Sequence, residues 1–156
     1  MTTLLTSIKS RLAELERTVV GIKRAYADAP ASLPHADLPI FLNFVGPATY
    51  TKLGETLLEE TRLFYARLYV KPIQGGIDGE AEASVTEYLG GARDVFIAHP
   101  HLGKGTAGSA LNFVESSEYL GDAGVMVMPF GGEQFLGSEF RLSVTTVVSR
   151  LIAKFE

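Results

Sequence analysis

The chain has 156 residues, 46% of them apolar and 21% charged, with a formal net charge of -4. That is enough for one domain with a real core, too apolar for wholesale disorder, and without the basic balance of a primary nucleic-acid binder. There is no cysteine, which excludes disulfide scaffolds, Cys-ligated zinc and thiol catalysis.

Leu4, Ile8, Leu12 and Leu15 recur at helical spacing and predict an N-terminal amphipathic helix, with Thr2 or Thr3 placed to cap it. The start has no basic lead before a long apolar run, so the chain reads as a soluble protein used inside the cell that makes it. Val19 to Tyr26 reads as a first short strand; a helix running on to Ala27 is the alternative. Pro30, Pro34 and Pro39 then hold an extended loop. Leu38 to Val45 is a strand, too short to span a bilayer, and Gly46-Pro47 is expected to stop it. A polar linker from Ala48 to Gly54 leads to a long strand ending near Lys71, and a hairpin with an extended tip is the simplest topology.

In that long strand Phe64, Ala66, Leu68 and Val70 share one face, and Tyr65, Arg67, Tyr69 and Lys71 the other. Gly75 to Gly79 breaks the sheet. Asp78 is placed to cap a second helix with Glu80 and Glu82 in its first turn, where the helix dipole favours acids. Ala81, Val85, Tyr88, Leu89 and Ala92 form its buried stripe, Val95 and Phe96 extend it, and Pro100 ends it. Gly90-Gly91 could split or kink it. Leu111 to Tyr119 reads as a strand or short helix, Gly121 to Gly124 as a turn and Val125 to Met128 as a strand, with a hairpin connection at Pro129 to Glu133. In the last strand Phe140, Leu142, Val144 and Thr146 alternate with Arg141, Ser143 and Thr145. The expected class is α+β: a mostly antiparallel sheet packed against an N-terminal and a central helix, in one domain over residues 1–156. Its outer face carries Tyr65, Arg67, Tyr69 and Arg141, residue types enriched at protein interfaces.

Three patterns invite a chemical reading. Gly103 to Gly108 matches G-x-G-x-x-G, but it follows a helix rather than joining a strand to a helix, so it reads as a surface loop. His99-Pro100-His101 could be half a metal site, but it lacks further ligands at a recognisable spacing. Glu59 and Glu60, with Glu55 nearby, point to opposite faces of a strand and read as a solvated hairpin tip. An enzyme or a nucleotide-binding domain is therefore the weaker hypothesis.

The chain resembles the bacteriophage tail terminator proteins. The resemblance runs through Leu4 to Leu15, Lys23 to Pro30, Leu38 to Phe44 with Gly46-Pro47, Arg67 to Val70, and Phe135 to Val144. It is one of pattern and element order over nearly the whole chain. It implies a virion protein of the tail and neck, assembled in the host cytoplasm. Such a protein forms a homo-oligomeric ring, usually a hexamer, on the head-proximal end of the tail tube. The ring stops tube polymerisation and offers the surface to which the filled head docks. The implied partners are further copies of the chain, the major tail tube protein and a head-completion or connector protein. DNA is only a passing cargo, and an acidic ring repels phosphate rather than gripping it. No catalysis, cofactor, metal or membrane goes with this role. Head-closure and tail-completion proteins share parts of the description.

Overall fold

The computed structural model describes residues 4–103, 111 and 113–149. The cap expected at Thr2 or Thr3, and Lys104 to Gly108 of the glycine-rich loop, lie outside them. In chain order the elements are α1 (Leu4–Glu16), β1 (Arg24–Tyr26), β2 (Ile40–Lys52), β3 (Leu57–Pro72), α2 (Gly79–Ile97), β4 (Val114–Asp122), β5 (Met126–Phe130) and β6 (Glu133–Ser149). The strands form one sheet in the order β1-β2-β3-β6-β4, with β5 also pairing β6. Among the described residues only β1 and β2 run parallel; the other pairs are antiparallel. The class is α+β, as the alternation and the helical stripes predict. No helix among the described residues is long and apolar enough to cross a membrane.

The two alternating segments are neighbours. β3 and β6 pair with Phe64 opposite Leu142 and Ala66 opposite Phe140. Residues directly opposite share a face, so these side chains form one apolar surface. Both helices lie on it, and Ile8, Leu12, Leu15, Val85, Ala92 and Phe96 close the main core. Phe140 sits between Phe41 and Phe96, with ring centroids 5.7 and 6.0 Å away. α2 starts as the sequence indicates: Asp78 Oδ1 accepts from the Ala81 amide at 2.8 Å, and Glu80 and Glu82 occupy the first turn. It runs unbroken through Gly90-Gly91.

The opposite face of the sheet is only partly open. Leu33 and Leu38, from the proline-rich loop, fold over Ile40, Leu42, Tyr69, Met128 and Phe135 as a second, smaller core. Three expectations change here. Tyr69 is not exposed: it is 1% accessible and wedged edge-on between Phe130 and Phe135. The first strand is shorter than Val19 to Tyr26, because a turn follows α1 and only Arg24–Tyr26 pairs. Gly46-Pro47 does not stop β2. The strand runs to Lys52, and the register slips between Val45 and Ala48. Gly46 and Pro47 sit in that bulge, where an absent N–H costs little.

One buried polar pair joins α1 to the sheet. Glu16, 0% accessible, accepts from Asn43 Nδ2 at 2.7 Å, and Asn43 Nδ2 also reaches the Tyr26 carbonyl at 3.0 Å. Burial pushes the Glu16 carboxyl well above the usual carboxylate range, outweighing the Asn43 hydrogen bond and the Arg17 charge. Among the described residues Glu16 Oε2 and Asn43 Oδ1 have no partner. Protonation removes the charge that burial disfavours. A carboxyl whose folded pKa is raised contributes stability in full below its unfolded value of 4.5. That contribution is lost as pH rises through the folded pKa. Glu16→Gln keeps the shape and removes the titration. The wild type should therefore lose urea midpoint relative to Glu16→Gln across the range above that unfolded value, until the folded carboxyl itself ionises. A constant difference across that range would mean that Glu16 is ionised throughout.

Candidate interaction surface

Beyond the proline-rich loop no described element covers the outer face of the sheet, and the register sets what it displays. Phe44, Tyr65 and Arg141 stand side by side across β2, β3 and β6; Leu42, Arg67 and Glu139 form the next row. Arg67 Nε donates to Glu139 Oε2 at 2.9 Å, and Arg141 Nε to Glu139 Oε1 at 3.2 Å. The Arg67 guanidinium also lies over the Phe44 ring, 4.6 Å from its centroid.

One carboxylate thus holds two guanidinium groups, and the cluster keeps a net positive charge. The side chains are 14% accessible at Glu139, 39% at Arg67 and 54% at Arg141. Glu139 is the clamp, Arg67 is fixed against Phe44, and Arg141 remains the most available cation. Pairs as exposed as these stabilise the fold by no more than about 1 kcal/mol. Their effect is to fix the orientation of the guanidinium donors. Tyr65 is held too, because its ring lies against Gly46: a Cβ there would come within 2.6 Å of it.

The surface continues onto an arm. Past the bulge, β2 and β3 run on to the turn at residues 53–56, and β6 follows them until Ser149 pairs with Leu57. Tyr50, Leu53 and Leu57 are exposed on it. A polar knot stiffens the face turned the same way as the main core. Glu60 accepts from Arg62 Nε at 2.8 Å and from the Tyr50 hydroxyl at 2.9 Å, while Arg62 Nη1 reaches the Gly46 carbonyl at 3.0 Å. The bond to Glu60, with partial burial, raises the Tyr50 pKa and keeps it a donor. On the other face of the arm, Pro47, Ala48, Thr49, Thr61 and Leu63 line a shallow depression of about 270 Å³, continuous with the Tyr65 row.

Of the four residues marked from the sequence, Tyr65, Arg67 and Arg141 meet on one surface, and Tyr69 leaves the set for the second core. Phe44 and Glu139 were missed, and the arm residues Tyr50, Leu53 and Leu57 were legible only as part of an extended hairpin. Phe44 was detectable, two positions after Leu42 on the same face. Glu139 was not, since its role depends on which strand lies beside β6.

The other chemical candidates have structural surroundings. His99 and His101 each turn Nδ1 to a backbone carbonyl, of Val95 at 2.8 Å and of Glu115 at 2.6 Å. Among the described residues no group of three or more His, Asp or Glu side chains could hold a metal ion. Glu59 and Glu60 do point to opposite faces. Partial desolvation raises the Glu115 pKa, and the hydrogen bond and charge of Glu59 add to it.

No protein-family model matches this sequence, and no curated protein is significantly similar to it.

Proposed function

We propose that this chain is a structural assembly protein, a tail terminator subunit. In this role it forms a ring, usually of six copies, on the head-proximal end of a phage tail tube. There it stops polymerisation and presents the surface to which the filled head docks. The observation that carries the reading is the half-sheet of Phe44, Tyr65, Arg67 and Arg141, left uncovered by the described elements and continuous with an arm exposing Leu53 and Leu57. Aromatic and arginine side chains on a rigid, uncovered face are the composition of a protein contact. The element order of the tail terminators supplies the identity of the partners.

The reading separates assembly from folding. Arg141→Glu breaks a pair that is half in solvent, so the unfolding midpoint should fall by less than about 1 kcal/mol equivalent. Placed beside Glu139, it turns the positive cluster negative and should weaken contact with a partner at least about tenfold. Electron microscopy of purified tail tubes mixed with the protein reads this. Wild type should cap one end as a ring, and Arg141→Glu should leave the tubes bare while still folded. Equal capping by both proteins would remove this face from the contact.

A further inference from the structure

The two margins of the sheet carry opposite charge. The order β1-β2-β3-β6-β4 puts β1 at one side and β4 at the other, four strand spacings or about 19 Å apart. The turn and strand of residues 17–27 contain Arg17, Lys23 and Arg24 and no acid; β4 contains Glu115, Glu118 and Asp122 and no cation. All six are exposed, and among the described residues none of them is in a salt bridge. Lys23 and Arg24 reach only backbone carbonyls, of Ala36 and Lys23. Each patch also exposes an aliphatic side chain between its charges. Val20, 91% accessible, lies between Arg17 and Lys23, and Leu120, 50% accessible, between Glu118 and Asp122. α2, packed over β4 and β6, adds Asp78, Glu80, Glu82, Glu87 and Asp94 against a single cation, Arg93.

We infer that copies of this chain associate head to tail, the basic β1 margin of one against the acidic β4 margin of the next. The occupant is a second copy because each patch is the complement of the other: three cations and an aliphatic residue facing three acids and an aliphatic residue. Two different patches in contact make a heterologous interface, which propagates into a ring if its rotation closes and into an open filament if it does not. Like-signed margins repel, so the charges also exclude the head-to-head arrangement. Closure into a ring rests on the assembly role proposed above; the pairwise contact does not.

Sedimentation velocity over a concentration series tests the contact in the free protein. At about 20 mM salt the wild type should sediment faster as concentration rises, and at about 0.5 M it should approach the monomer, because screened charges no longer steer or hold the pair. Lys23→Glu with Arg24→Glu, and separately Glu115→Lys with Glu118→Lys, should each weaken association at least about tenfold while circular dichroism shows a folded protein. An equimolar mixture of the two variants should associate again. In it every acidic margin finds a basic one, which a merely unfolding substitution does not restore. Three results would overturn the inference: a wild type monomeric at every concentration in low salt, variants that associate like wild type, or folded variants whose mixture stays monomeric. A wild type that stays monomeric yet caps tail tubes removes this contact and leaves the terminator role. One that associates but never caps tubes does the reverse.

Discussion

Gly137→Ala is expected to cost more than about 3 kcal/mol and to leave little folded protein at physiological temperature. Gly137 in β6 faces Tyr69 in β3 where the register slips between Tyr69 and Lys71. A Cβ on it would sit 1.7 Å from the Leu68 carbonyl oxygen and 2.9 Å from the carbonyl carbon. These are backbone atoms, so no side-chain rotation makes room. The central strand pair must separate, at a point with Leu68 and Leu136 of the main core on one side and Tyr69 of the second core on the other. Gly90→Ala is the control. A Cβ there meets nothing nearer than an Arg93 nitrogen at 3.8 Å, and the position is helical. It should stabilise by about 0.5–1 kcal/mol. Urea midpoints of the two variants read the contrast. A Gly137→Ala protein as stable as wild type would show that the strands approach less closely at this bulge.

The alternations were legible because a one-residue slip would turn every buried side chain of β3 or β6 to solvent. The sequence therefore separated Phe64, Ala66 and Leu68 from Tyr65 and Arg67. Tyr69 was assigned to its correct face and to the wrong environment. What buries it is Leu33 and Leu38, more than thirty residues earlier, and period two says nothing about what covers a face. Gly46-Pro47 was misread for a related reason. β1 accompanies β2 only to Leu42, and the slip after Val45 removes the pairing that Pro47 would break. Local chemistry suggested a stop where pairing beyond it on β3 carried the strand on. The candidate surface was readable only in part. Tyr65, Arg67 and Arg141 follow from alternation, whereas their common clamp, Glu139, and the length of the arm depend on cross-strand register.

The terminator role is tested most directly by tail assembly in a host that makes every phage component except this chain. A ring that stops polymerisation acts through contact, with no reaction for a second enzyme to replace, so its loss should be all or none. Tubes should grow past their normal length, and filled heads should accumulate beside them without joining. Supplying the wild-type chain should restore both length and joining. Supplying Arg141→Glu, folded but with the outer face reversed in charge, should restore neither fully. Tails of normal length that join filled heads in the absence of the chain would contradict the role outright.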